Sequence, residues 1–207
     1  MNRHRCEHIG IIPDGNRRWA KAHSMEKKDG YAFGLLPGVL LLRQAKKLGI
    51  KEITYYGFTV DNCKRPSEQV RAFTDACVQA VELLGREGAD LLVVGNDASD
   101  SFPEPLRPYT KRTRFGSGGI LVNFLVNYGW QWDLSHIRED GRPFSAEVSR
   151  IDLIIRWGGM RRLSGLLPIQ SVYADFYVEE KLWPDFAESD LLRALEWYGR
   201  QDVTLGG

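Results

Sequence analysis

His8-Ile9-Gly10-Ile11-Ile12-Pro13-Asp14-Gly15-Asn16-Arg17-Arg18-Trp19-Ala20-Lys21 is the stretch from which the fold can be read. Residues 8–13 are short, apolar and rich in isoleucine, the mark of a buried strand. Pro13-Asp14-Gly15 ends that strand in a turn, and a helical pattern runs from Asn16 to His23. A buried strand that feeds a helix through a polar turn predicts a strand–helix unit of a parallel sheet.

The rest of the chain repeats the pattern. Apolar runs at Glu52–Phe58, Asp90–Gly95, Ile120–Tyr128 and Ile151–Trp157 read as buried strands, with Val172–Tyr177 a weaker one. Helical patterns lie between them at Tyr31–Leu48, Ser67–Leu84, Glu104–Arg114 and Glu188–Tyr198, with Ser67 and Asp190 as start signals. The predicted fold is α/β: an open, mostly parallel sheet flanked by helices. No repeat, low-complexity stretch or composition shift divides the 207 residues, so one domain over 1–207 is expected.

Composition narrows the function. The formal net charge is +1, which gives no global reason for a nucleic-acid partner. Cys6, Cys63 and Cys77 match no metal or disulfide spacing, so a reduced, cytoplasmic protein is expected. Ile9–Ile12 is too short for a signal-peptide core. Leu35–Leu42 is interrupted by Pro37 and Gly38 and reads as a buried helix face, so membrane contact is at most peripheral.

In a parallel sheet, ligand-binding residues collect in loops at the carboxyl ends of strands. The chemically loaded segments here do follow strands. In Pro13–Ala20, Gly15 permits a close backbone approach, the helix start offers free N–H groups, and Arg17 and Arg18 supply phosphate donors. Asp14 would repel a bare diphosphate, so its natural role beside one is to hold Mg2+. Phe58–Pro66 brings Asn62 and Arg65; taken alone it reads as a polar loop. Arg156-Trp157-Gly158-Gly159-Met160-Arg161-Arg162-Leu163-Ser164 places three arginines and a hydroxyl around a glycine pair, a second anion site. Asp175 sits among aromatics in Tyr173–Tyr177; a structural arginine partner explains it more simply than a metal does. Two arginine-rich phosphate sites and two candidate metal carboxylates suggest an enzyme that joins two diphosphorylated substrates.

These motifs resemble those of the cis-prenyltransferase family, which includes undecaprenyl diphosphate synthase. Residues 8–21 are similar to its opening motif, Phe58–Pro66 to F-S-T-E-N-W-x-R-P, and Asn127-Tyr128-Gly129 with Asp133 to N-Y-G-G-R-x-D. Asp152–Ser164 is similar to D-L-x-I-R-T-G-G-E-x-R-x-S, and Leu182–Phe186 is L-W-P-D-F. The resemblance implies a homodimer, a hydrophobic tunnel for the growing chain, and Mg2+-dependent transfer from an allylic to a homoallylic prenyl diphosphate. It implies Asp14 and Asn62 at the reacting centre. It places Gly15, Asn16, Arg17, Arg18, Lys27, Tyr31 and Arg65 at the allylic diphosphate, Arg156, Arg162 and Ser164 at the acceptor diphosphate, and Asp14 and Asp175 at the metal.

The departures from the family pattern gather at the acceptor side. Met160 replaces the Glu of G-G-E, and Asp175 shortens the usual Glu. The C-terminal R-x-R-R-F-G-G is reduced to Gln201–Gly207, and the stretch between Asp133 and Arg150 is shorter by about a helix. Elsewhere, Pro13 replaces Met, Tyr31 a His, Val60-Asp61 T-E, and Cys63 a Trp. Leu35 and Leu36 stand where long-chain members carry smaller groups. The expectation is a short-chain or irregular coupling, of the lavandulyl type. The alternatives are ordinary elongation with isopentenyl diphosphate, or a non-catalytic subunit of a heteromeric enzyme.

Overall fold

A computed structural model describes residues 5–116, 119–135 and 141–202. The reduced C-terminal motif therefore lies outside the described residues beyond Asp202, as do residues 136–140 of the shortened stretch. Six strands form one sheet: β1 (His8–Ile12), β2 (Glu52–Thr59), β3 (Asp90–Val94), β4 (Leu121–Tyr128), β5 (Leu153–Arg156) and β6 (Asp175–Val178). Their order is β3-β4-β2-β1-β5-β6, and every pairing is parallel. The three loaded loops follow β2, β1 and β5, which are adjacent strands. Sheet order thus brings together segments more than 140 residues apart.

The strands are apolar on both faces, as a parallel sheet covered on both sides requires. One face, with Ile9, Ile11, Ile53, Tyr55 and Val93, packs under α3 (Leu35–Leu48), α4 (Ser67–Arg86) and α6 (Glu188–Tyr198). The other, with Ile12, Tyr56, Leu92, Leu125 and Ile154, is covered by Val148, Leu166 and Leu167. A fully buried Ile or Leu contributes about 1.5–3 kcal/mol, so this double cover is the main stabilising term. Near the site, a register shift between Tyr56 and Phe58 turns Phe58 onto the helix-covered face.

Three helices differ from expectation. The pattern over Tyr31–Leu48 is two helices, α2 (Gly30–Phe33) and α3, separated at Gly34. Gly34 packs so closely on Asn16 that a Cβ there would meet its Oδ1 at 2.6 Å. Pro37 falls in the first turn of α3, where no backbone N–H is needed. Glu104–Thr110 is a 3-10 helix, because Pro105 and Pro108 withhold N–H donors. Before α6 the capping acid acts from inside the helix: the Ala187 N–H donates to Asp190 at 2.8 Å. Two further helices, α1 (Asn16–Ala22) and α5 (Trp130–Ser135), complete the set used below.

Candidate active site

A cavity of about 600 Å3 opens at the carboxyl ends of β1, β2 and β5. Arg17, Arg18, Arg65, Arg156, Arg162, Lys21 and Lys27 line it, against only two acids, Asp14 and Asp61. Lys64 pairs with Asp61 at 2.6 Å, which leaves Asp14 as the pocket's principal carboxylate. Such an excess of cations is held together only at a cost in mutual repulsion that a bound polyanion removes.

Loop one is held from below. Gly15 adopts φ 116°, and a Cβ on it would meet Leu182 at 2.9 Å, so glycine alone fits. The Trp183 N–H donates to the Asp14 carbonyl at 3.0 Å, and Trp19 Nε1 donates to Asp185 at 2.7 Å. Leu182–Phe186, which carried no assigned role in the sequence, is therefore the buttress of the Asp14 loop. The Asp14 carboxylate meets Arg156 at 2.8 Å and Arg18 at 3.4 Å. Arg18 also donates to the Gly158 carbonyl at 2.9 Å, tying loop one to the loop after β5.

The β5 loop is built around Arg156, which is 4% exposed. Its guanidinium donates to Asp14 Oδ2 and to Ser164 Oγ, each at 2.8 Å, and to the Arg162 carbonyl. Ser164 has φ 53°, a left-handed conformation that costs a non-glycine residue about 1 kcal/mol or more. Tyr56 fixes it there by donating to the Ser164 carbonyl at 2.7 Å. Burial pushes the Tyr56 hydroxyl well above the ordinary phenol range, so it remains a donor. Nothing in the sequence marks Tyr56 apart from other strand aromatics. Arg161 turns away to Glu180 at 2.7 Å, whereas Arg162 and Met160 face the cavity.

The third wall comes from β2. Arg65 donates to Tyr31 Oη at 3.0 Å and lies over Phe73, 5.4 Å from the ring centroid; Tyr31 stacks flat on the same ring. Burial, then the proximity of Arg17, lowers the Arg65 pKa, while Tyr31 and Asp14 partly offset both. A cation strained in this way is one that an anion stabilises. Asn62 Oδ1 accepts the Thr59 N–H at 3.0 Å, which leaves its amide nitrogen as a donor. Arg17 has one long contact, to Gln69 at 3.4 Å.

The cavity thus collects Asp14, Gly15, Asn16, Arg17, Arg18, Lys27, Tyr31, Asn62, Arg65, Arg156, Arg162 and Ser164. It does not collect Asp175. That residue opens β6, and its N–H donates to the Asp152 carbonyl below the start of β5. Arg156 stands three residues along the adjacent strand, which puts Asp175 about 10 Å lower on the sheet. Its carboxyl is raised by burial and lies toward Cys6 and Tyr198. Placing Asp175 beside this chain's own Asp14 at a metal is therefore corrected, because parallel register puts the two at opposite ends of their strands.

One other expectation changes: Leu36 is 62% exposed and narrows nothing, while Leu35 faces inward. Beside the cavity lies an apolar void of about 50 Å3. Among the described residues no group of three His, Cys, Asp or Glu side chains converges, so no all-protein metal cage is present there. Asp14 can instead offer one carboxylate to a cation that takes its remaining oxygens from a diphosphate and water, the usual manner of Mg2+.

A doubly covered parallel sheet with an arginine-lined cavity over three adjacent strand ends defines an α/β protein with a strongly cationic pocket at its strand termini. Comparison with known proteins identifies it further. The family described as "Putative undecaprenyl diphosphate synthase" matches residues 12–206, and the chain belongs to that family of prenyltransferases. It is 31% identical to the Escherichia coli K12 ditrans,polycis-undecaprenyl-diphosphate synthase ((2E,6E)-farnesyl-diphosphate specific), over 99% of this chain and 91% of that one. It is 33% identical to an isoprenyl transferase of Thermotoga maritima, over 97% of each. The fold is shared with the crystal structure of lavandulyl diphosphate synthase from Lavandula x intermedia in complex with dimethylallyl diphosphate: TM-score 0.82, 23% identity, 98% of each chain. The chain is accordingly an enzyme of the prenyltransferase class, which removes the non-catalytic alternative.

Proposed function

We propose that this enzyme, working as one domain, transfers a prenyl group from an allylic diphosphate to a second isoprenoid diphosphate with Mg2+, giving a short-chain or irregular product. The observation that carries this reading is Arg156. One buried guanidinium bonds both Asp14 of the first loop and Ser164 of the second, so two diphosphates bound to those loops share one cavity.

In this reading Arg17, Arg18, Arg65 and Lys27 take the allylic diphosphate, with Tyr31 holding Arg65 in place. Arg156, Arg162 and Ser164 take the acceptor diphosphate. The allylic C–O bond breaks with its electron pair leaving on diphosphate, the acceptor double bond forms the new C–C bond, and a proton leaves the adjacent carbon. The arginines stabilise the charge that grows on the departing diphosphate. Mg2+, held at Asp14, would supply further charge neutralisation there. Asn62 is a positioning donor: its oxygen accepts the Thr59 N–H, which orients its amide nitrogen to donate.

The acceptor is the finer part of the proposal. Met160 stands where a carboxylate would offer a further oxygen ligand, and the apolar space is small. Both favour a short product over a long polyprenyl chain. We also propose a homodimer: Ile169, Val172 and Tyr173 are 53%, 68% and 60% exposed, an apolar surface of the kind that partners cover. A cytoplasmic setting fits the free thiols of Cys6, Cys63 and Cys77. The test is incubation with labelled dimethylallyl diphosphate and Mg2+, with and without isopentenyl diphosphate, followed by mass spectrometry. A ten-carbon product is expected; a long polyprenyl product would refute the short-chain reading while leaving prenyl transfer intact.

A further inference from the structure

The loop after β5 turns twice through left-handed backbone. At its start Gly158 and Gly159 have φ 85° and 74°; at its end Ser164 and Gly165 have φ 53° and 85°. The first hinge is all glycine and adopts this conformation without steric cost. The second includes a serine, so contacts from outside the loop must hold it.

Two side chains do so. Tyr56 Oη donates to the Ser164 carbonyl at 2.7 Å. The indole of Trp130 lies on Gly165 so closely that a Cβ there would meet Trp130 Cδ1 at 2.6 Å. Trp130 stands where the N-Y-G-G-R-x-D pattern carries its second glycine, so this contact comes from a residue particular to this chain.

Both supports stand on one aromatic block. Tyr56 meets Tyr128 edge-on with centroids 6.3 Å apart, and Tyr128 meets Trp132 in the same way at 6.4 Å. Tyr128 Oη donates to Asp133 at 3.0 Å, and the Ser145 N–H donates to the same carboxylate at 3.1 Å. Asp133 is 2% exposed, so this pair of bonds pins α5, whose first residue is Trp130. Trp130 itself is 43% exposed and belongs to the core of neither sheet face. It does not line the cavity, whereas Ser164 and Arg162 do. Ser164 Oγ accepts from Arg156 at 2.8 Å, which leaves its own proton to donate to an anion. The backbone at 164 and 165 decides where that donor points.

We propose that Trp130 is a positioning residue for the second diphosphate. With Tyr56 it clamps the Ser164–Gly165 hinge, and the clamp aims the Ser164 hydroxyl and the Arg162 side chain at one anion. This rests on the diphosphate reading above and concerns its acceptor half alone.

The test reads the two halves separately. Unreactive dimethylallyl thiodiphosphate, followed by isopentenyl diphosphate, is titrated calorimetrically into wild type, Ser164→Ala, Trp130→Gly, Trp130→Phe and Tyr56→Phe. Each protein is first checked for a cooperative thermal transition. The binding step that Ser164→Ala weakens is the acceptor step. Trp130→Gly should weaken that step by at least roughly tenfold, since a donor displaced by an ångström loses its bond, and should leave the other step unchanged. Trp130→Phe, which keeps a ring on Gly165, should recover most of the loss. Tyr56→Phe keeps its packing on Tyr128 and should weaken the same step alone. A folded Trp130→Gly that binds both steps as wild type does, or weakens both alike, would overturn the proposal. Should Trp130→Gly not fold, an unchanged acceptor step in Tyr56→Phe would overturn it equally. Ser164→Ala that weakens neither step would remove Ser164 from the acceptor diphosphate and the proposal with it, leaving prenyl transfer intact. Wild type that binds neither compound would overturn the diphosphate reading itself.

Discussion

The two ends of the same sheet treat charge in opposite ways. At the amino ends of the strands, polar groups are buried and satisfy one another. His8 Nε2 meets Thr54 Oγ1 at 2.8 Å, Asn123 donates to Glu52 at 2.6 Å, Ser149 donates to Glu52 at 2.5 Å, and Arg112 donates to Asn123 at 2.6 Å. At the carboxyl ends, Arg162 and Lys27 face a cavity with no acid bonded to them among the described residues, and Ser164 is held in a left-handed conformation. A closed network contributes rigidity and partner-dependent stability. An open array of cations gives up stability and gains affinity for a polyanion. The difference marks which end works and which end holds the strands in register.

Breaking the open end should cost rate more than stability, since Arg156 loses its carboxylate partner but keeps its bonds to Ser164 and the Arg162 carbonyl. Asp14→Ala removes the cavity's principal carboxylate, whose side chain is 32% exposed and lies outside the sheet core. Prenyl transfer should fall by about a thousandfold, equivalent to about 4 kcal/mol of transition-state stabilisation. Steady-state kinetics at saturating Mg2+, beside a thermal melt, check both halves. A variant that retains its rate would remove Asp14 from the chemistry.

Breaking the closed end should do the reverse. Glu52 is 5% exposed and accepts hydrogen bonds from Asn123 and Ser149. Glu52→Ala strands both donors and should destabilise the protein by about 3 kcal/mol. The folded fraction should keep an ordinary turnover. Urea unfolding, with active-site titration of the surviving enzyme, is the measurement, and an unchanged midpoint would show that the network is not structural.

The same contrast governs what could be read in advance. The strands were legible because apolar runs bounded by turn residues report burial directly, and the sheet came out as expected, parallel throughout. The split at Gly34 was not legible, since it arises from contact with Asn16, 18 residues earlier in the chain. The cavity residues were legible as motifs, because arginines beside glycines after strands have few other uses. Tyr56 and Leu182–Asp185 escaped because their roles depend on which loop lies opposite. Asp175 was misplaced for a related reason: a motif records order along the chain, whereas parallel register decides which end of a strand a side chain occupies.

The smallest expected effect distinguishes the closed end by pH. Burial lowers the His8 pKa below its ordinary value, and Glu52, the Arg150 and Ser149 contacts and Asp152 oppose that shift without cancelling it. His8 is therefore neutral in the folded protein where the unfolded chain has begun to take up a proton. Below pH about 6.5 the unfolded state binds more protons, so stability falls as the pH drops and is fully present above that value. One group can produce a slope no steeper than about 1.4 kcal/mol per pH unit. Urea unfolding between pH 5 and 8 should show this loss in the wild type and a shallower one in His8→Gln, which retains hydrogen-bonding capacity but cannot titrate. Equal slopes in the two proteins would place the acid sensitivity elsewhere. Asp190 is the natural place to look, since Lys181, the Ala187 N–H and Arg193 hold its carboxyl low against the penalty of burial. Its contribution is lost only as the pH falls through the carboxylate range, so the two groups separate by pH window as well as by substitution.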